Sequence, residues 1–243
     1  LLLYFGCLLA LLLLAFLILW AFSLFVDMEK PQEEDSPVYR RIMYLYIEAL
    51  ISLVGLKVET AGLEKTPKDG RFLLVSNHLC DLDPGFFLKT FPNHQLAFIA
   101  KKEVRDMPII GILMRRLLCQ FVDRENDRAA LKTILKCISI LKEDQASIAV
   151  FPEGRIAGDN LMHHYRPGVF KIAQKANVPI VVCTLNGSQN ILPNAKRLRR
   201  TRIRLHLLEV IPAQELKGVT TVDIAARVHA IMAADLGAEF VAE

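Results

Sequence analysis

The chain opens on one unbroken apolar block and then changes to short apolar runs separated by polar turns. Leu1 to Val26 contain no charged residue. A helix of that length reaches across a hydrocarbon core of about 30 Å with some tilt. Tyr4 and Trp20 lie towards opposite ends of the block, where interfacial aromatics are expected. A secretory leader has a shorter apolar region behind a basic start, so the pattern predicts a retained transmembrane anchor over 1–26. Residues 27–56 follow as an acidic linker (Glu29, Glu33, Glu34, Asp35) and a second apolar helix over 42–56, interrupted by Glu48. That helix is too short to span and is expected at the membrane interface or packed on the core.

Beyond residue 57 the periodicity alternates between the two regular structures. Runs at 72–75, 95–99, 147–151, 178–185 and 202–211 read as strands. Leu131, Ile134, Leu135, Ile138 and Leu141 recur at helical spacing within 129–141. A further helix is predicted over 167–176. The capping box Thr220-Thr221-Val222-Asp223 opens a last one that runs to Leu236. Such alternation implies an α/β domain over 57–243 with a mostly parallel sheet flanked by helices. In sheets of this kind ligands gather at the carboxyl ends of the strands. His78 and Glu153 each directly follow a predicted strand, which puts them on one rim.

Composition narrows the setting. The five cysteines are scattered and none forms a CxxC pair, so neither a zinc site nor a disulfide framework is indicated. This favours a reducing compartment, and with the anchor it predicts an inner or cytoplasmic membrane protein whose domain over 57–243 faces the cytosol. Net charge is +4, and Lys196, Arg197, Arg199, Arg200, Arg202 and Arg204 concentrate it. That cluster reads equally as a solvated charged face or as a patch for anionic lipid headgroups, and with no interleaved aromatics and an anchor upstream nucleic acid is not expected as a partner.

Candidate chemistry starts at His78 and Asp83, five residues apart. On one helix they would point about 140° apart. Pro84 suits the first position of a helix with Asp83 as its N-cap, so His78 falls on a strand-to-helix loop where the carboxylate can fold back to the imidazole. Taken alone, the pair is equally explained as a loop histidine beside a capped helix. Phe121-Val122-Asp123-Arg124 ends an apolar run in an arginine able to hold a phosphate. Phe151-Pro152-Glu153-Gly154-Arg155 sets a carboxylate, a glycine and a cation on one tight loop. Val178-Pro179-Ile180-Val181 is also readable as plain core strand.

Together, and in this order, the four blocks resemble the glycerolipid acyltransferase family, best known for 1-acyl-sn-glycerol-3-phosphate acyltransferases. The resemblance covers about 72–190 and includes Ala100-Lys101-Lys102-Glu103 and Arg166-Pro167-Gly168-Val169-Phe170-Lys171. It implies transfer of a fatty acyl chain from acyl-carrier protein or acyl-CoA to a lysophospholipid hydroxyl, without a metal or bound cofactor. His78 would be the base and Asp83 its orienting carboxylate. Arg124, Glu153, Gly154 and Arg155 would hold the acceptor's glycerol phosphate, and Val178 and Pro179 would shape an acyl pocket. One departure stands out. The family's third block usually continues with threonine or serine and then arginine, where this chain has Arg155 and Ile156. That leaves open another lysolipid acceptor, or a catalytically silent lipid-binding homologue. A metal-dependent enzyme built on Asp81 and Asp83 would leave the other blocks unexplained. Cys80, two residues from His78, is a candidate nucleophile or a structural thiol.

Overall fold

The structure, a computed structural model, describes residues 2–26 and 34–242; the side chains of 2–5, 8, 9, 12 and 15 lie outside that description. Its helices are α1 (Leu2–Ser23), α2 (Pro37–Leu53), α3 (Asp83–Thr90), α4 (Lys102–Arg105), α5 (Ile110–Arg116), α6 (Asp127–Lys142), α7 (Lys171–Ala176), α8 (Ile191–Lys196) and α9 (Thr221–Leu236). The strands are β1 (Leu56–Ala61), β2 (Leu73–Val75), β3 (Ala97–Lys101), β4 (Gln120–Val122), β5 (Ile148–Val150), β6 (Ile180–Asn186) and β7 (Thr201–Ile211).

These strands form one sheet in the order β1-β7-β6-β2-β5-β3-β4. Only the β6–β7 pairing is antiparallel. The carboxyl ends of β2, β3, β4, β5 and β6 therefore share one rim. Because β7 runs against β6, and β1 runs with β7, the amino ends of β7 and β1 join that same rim.

Helices cover both faces. Ile47, Ile51, Phe86, Phe87 and Leu113 from α2, α3 and α5 pack with Leu74, Ala149 and Val181 on one side. On the other, Ile138 and Leu141 of α6, Ile172 of α7 and Val228 and Met232 of α9 pack with Leu73, Ile148 and Val182. Alternate residues of β2, β5 and β6 thus feed two cores. Strands buried on both faces are continuous apolar runs, which is how 147–151 and 178–185 read in the sequence. Each fully buried aliphatic or phenyl side chain contributes about 1.5–3 kcal/mol.

Element ends depart from the sequence expectation for local reasons. Strand β3 begins at Ala97 because Gln95 is left-handed at φ 40°, outside the β region. Segment 167–176 divides into a 3-10 turn, Pro167–Phe170, and α7. The second apolar helix starts earlier, with Pro37 in its first turn, and stops at Leu53. Gly55, at φ 68°, then turns the chain into β1, which the helical expectation over 42–56 had absorbed in part. Tyr39, Ile47 and Ile51 of α2 are buried, while Val38 and Leu45 stay exposed, so this helix is packed on the core along one side.

Most of the acidic linker, residues 27–33, lies outside the described residues. Asp35 is more than linker. Its carboxylate accepts from Arg40 Nε at 2.8 Å and Nη2 at 2.6 Å. The buried Arg40 also donates to the carbonyls of Leu96 and Leu117 at 3.0 and 3.3 Å. Helix α1 meets the domain through the buried Leu19 and through Phe22, whose ring lies 6.2 Å edge-on from Tyr39. Among the described residues no helix is long and apolar enough to cross a membrane, so the spanning anchor expected over 1–26 is not a feature of the described fold.

Candidate active site

The short loop between β2 and α3 is pinned from below before it presents any chemistry. The Asn77 side chain is buried and pairs with Leu185 of β6 as a strand backbone would. Its Nδ2 donates to the Leu185 carbonyl and its Oδ1 accepts the Leu185 N–H, both at 2.8 Å. The next residue, His78, is thereby fixed just above the strand ends.

Asp83 lies five residues on, with no exposed surface. A single carboxylate oxygen, Oδ2, accepts the Leu79 N–H at 2.7 Å, the Cys80 N–H at 2.9 Å and His78 Nδ1 at 2.9 Å. The expected N-cap is corrected here. Asp83 is already helical and turns back towards the preceding loop, so it caps none of the amides of α3. With Nδ1 engaged by a carboxylate, the proton sits on that nitrogen and Nε2 carries the lone pair. The ring lies flat on Phe151, centroids 4.1 Å apart and planes within 11°, which opposes rotation away from Asp83.

Glu153 follows β5 and is buried. Its Oε1 accepts the His78 N–H at 3.1 Å and its Oε2 accepts the His163 N–H at 2.9 Å. Burial raises its pKa, and the amides of His163 and His78 oppose that shift. Both oxygens are thus committed to backbone. The carboxylate ties the loop carrying the base to the segment after the glycine turn.

A backbone-held histidine with a buried carboxylate behind one ring nitrogen and a lone pair on the other is able to take up a proton at Nε2. The family described as Acyltransferase matches residues 57–186, more than half of the chain. This chain belongs to the acyltransferase family.

The chain is 33% identical over 178 residues to a probable 1-acyl-sn-glycerol-3-phosphate acyltransferase of Mycoplasma pneumoniae, covering 71% of this chain and 64% of that protein. It is 28% identical over 154 residues to the 1-acyl-sn-glycerol-3-phosphate acyltransferase of Borreliella burgdorferi, covering 62% and 61%. The chain therefore spans less than two thirds of the length of these relatives. Its fold matches the crystal structure of the 1-acyl-sn-glycerophosphate acyltransferase PlsC from Thermotoga maritima. The TM-score is 0.69 and identity 22%, over 90% of this chain and 86% of that one.

Within this family member the remaining candidates separate by position. Arg124, half-buried at the carboxyl end of β4, shares the rim with His78; burial lowers its pKa, the charge of Arg166 adds to this, and Glu103 opposes it. Arg155 is exposed. Gly154 has φ 75°, and a Cβ placed there would meet Arg166 Nε at 3.1 Å and Cδ at 3.3 Å. What approaches the backbone at Gly154 is thus the side chain of Arg166. Val178 and Pro179 precede β6, at the opposite end of the sheet from the rim. The Pro179 carbonyl accepts the N–H of Leu73, where β2 begins. They are not brought to His78, because a parallel strand separates its first residues from the rim by its whole length.

Two neighbours of the dyad are passive. Burial, with Asp83 and Asp81 nearby, pushes the Cys80 thiol up, against a backbone hydrogen bond with Leu82 that opposes the shift. A raised thiol is a poor nucleophile. Asp81 is exposed while Asp83 is buried and turned to the loop, so the two carboxylates do not converge as a ligand pair. Sequence reading missed the Phe151 stack and Arg166. The first had no signal beyond an aromatic at a strand end, and the second lay in the Arg166-Pro167-Gly168 segment without a role.

Proposed function

We propose that this acyltransferase moves a fatty acyl chain from acyl-carrier protein or acyl-CoA to the free 2-hydroxyl of 1-acyl-sn-glycerol-3-phosphate, giving phosphatidic acid. The observation that carries the reading is the 2.9 Å contact of His78 Nδ1 with the buried Asp83, which leaves Nε2 to act. In this mechanism Nε2 takes the hydroxyl proton as the oxygen attacks the thioester carbonyl. Asp83 stabilises the imidazolium so formed. The tetrahedral intermediate expels the thiolate, which takes the proton back from Nε2, and no acyl-enzyme forms. The names of the relatives supply the acceptor, and Arg124 offers a donor fork for its phosphate.

Membrane attachment belongs to the same reading. The described part of α1 exposes Leu11, Leu13, Leu14, Phe16, Leu17, Ile18 and Trp20. It has no polar face of the kind an in-plane helix needs, which supports α1 as the anchor that enters lipid. The rim also carries Leu192 and Leu198, 65% and 76% exposed, among the exposed Lys196, Arg197, Arg199 and Arg200. Such a basic, apolar edge suits an anionic bilayer, at about 1 kcal/mol per cation near the surface.

Transfer of labelled acyl groups to 1-acyl-sn-glycerol-3-phosphate by the full chain in vesicles tests the reaction. Turnover that disappears in His78→Ala, with the unfolding midpoint unchanged, is the expected result. An active His78→Ala enzyme would overturn the assignment.

A further inference from the structure

Two guanidinium groups stand on the active-site rim without an ion-pair contact to either, although the charge of Glu103 is felt at Arg124. The acids around them are already engaged: Asp123 pairs with Lys102 at 2.9 Å and Glu103 with Lys101 at 3.6 Å. Among the described residues the side chains of Arg124 and Arg166 enter no ion pair or hydrogen bond. Arg166 is exposed, and its place is set at the backbone and by its packing on a glycine. Its backbone N–H donates to the Pro152 carbonyl at 2.9 Å, and its side chain lies over Gly154, where a Cβ would stand 3.1 Å from Nε. That turn begins one residue earlier with Glu153, whose carboxylate holds the His78 amide. Arg166 is therefore seated on the same turn that positions the base.

The charges of Arg124 and Arg166 act on one another, and like charges in each other's field are relieved by an anion. The sequence raises the same point from another side. The usual arginine of the third block is missing: its place holds Ile156, and Arg155, one place earlier, is exposed as Arg166 is.

We propose that Arg166, lying across Gly154, supplies a second cationic contact to the acceptor's phosphate monoester, alongside Arg124, in place of the arginine that Ile156 replaces. The assignment rests on the acyl-transfer reading and adds to it the residue that selects a phosphate-bearing acceptor. A planar fork is suited to two phosphate oxygens at once. Glycine at 154 serves this arrangement, since a side chain there would push the guanidinium off its seat.

The test compares two acceptors and a binding probe. Arg166→Ala is expected to raise KM for 1-acyl-sn-glycerol-3-phosphate about ten- to a hundredfold, the span of a lost charge-assisted bond, while kcat changes much less. Arg166→Lys recovers part of the loss. Transfer to 1-acylglycerol, which has no phosphate, is unaffected by either change. Arg155→Ala produces a smaller rise in KM than Arg166→Ala. An unchanged KM in Arg166→Ala, equal losses on both acceptors, or a loss at Arg155 matching that at Arg166 would each overturn the proposal. Calorimetric binding of glycerol 3-phosphate is measured in parallel, to His78→Ala and to the double variant with Arg166→Ala. At least about tenfold weaker binding to the double variant supports the clamp, and equal binding overturns it. If the unaltered chain acylates no lysolipid at all, the proposed reaction fails, and the glycerol 3-phosphate comparison still decides the role of Arg166.

Discussion

His78 Nδ1 and Asp83 Oδ2 meet at 2.9 Å on a carboxylate oxygen that also accepts two loop amides. The carboxylate therefore shapes the loop and orients the base at once. Asp83→Asn keeps the size but replaces part of the acceptor capacity by an N–H₂ group, which favours the wrong tautomer of His78. Steady-state kinetics should show kcat lower by about 10³–10⁴-fold. A loss below tenfold would mean that Asp83 is chiefly a loop brace.

Glu153 predicts a split between structure and pH. In Glu153→Gln one of the two backbone N–H groups, of His78 or His163, faces an amide N–H₂ in a buried place. The cost is about 1–3 kcal/mol of stability, and the displaced base lowers kcat by about ten- to a hundredfold. Burial raises the folded pKa above its ordinary 4.5, so the folded protein binds this proton more tightly than the unfolded chain. The linked stabilisation is complete below the ordinary value and is lost as pH rises through the raised one. Urea unfolding from acid to neutral pH should show the wild-type advantage over Glu153→Gln shrinking as pH rises. A pH-independent difference would contradict it.

Cys80→Ser isolates the thiol. The contribution of Cys80 to the site is its backbone N–H, which serine retains. Turnover within about twofold of wild type is expected, since a half-buried free cysteine behaves as a small apolar residue. A burst of acyl-enzyme, or loss of activity in the serine variant, would bring Cys80 into the mechanism.

Arg40 holds α2 to the amino ends of β3 and β4. Arg40→Met removes a bidentate pair with Asp35 and two donors to the Leu96 and Leu117 carbonyls. Breaking one side of a buried pair costs about 3–5 kcal/mol. Denaturant unfolding checks this, and a change below about 1 kcal/mol would show that Asp35 and Arg40 are screened as a surface pair is.

How much of this was readable before the tertiary structure follows from chain separation. The His78–Asp83 contact spans five residues, so a strand, a loop and a helix start suffice to suggest it. The shared rim of His78 and Glu153 follows from strand polarity in a parallel sheet. The same polarity places Val178 and Pro179 at the far end, a consequence that resemblance to the family's fourth block obscured. Arg166 was beyond reach, because its neighbours in space are a glycine twelve residues earlier and an arginine in the turn after β4. Strand β1 was hidden by its nearness to the apolar helix, although its register with β7 is regular.

By itself the sequence determined the class of fold, the apolar block over 1–26 and the pairing of His78 with Asp83 as a candidate, since these depend on periodicity and local spacing. The tertiary structure alone decided that Glu153 grips two backbone amides, that Asp83 turns back from its helix, and that Arg166 covers Gly154. Those are contacts between groups distant in the chain, and they are selected by which buried polar atoms find partners when the sheet closes.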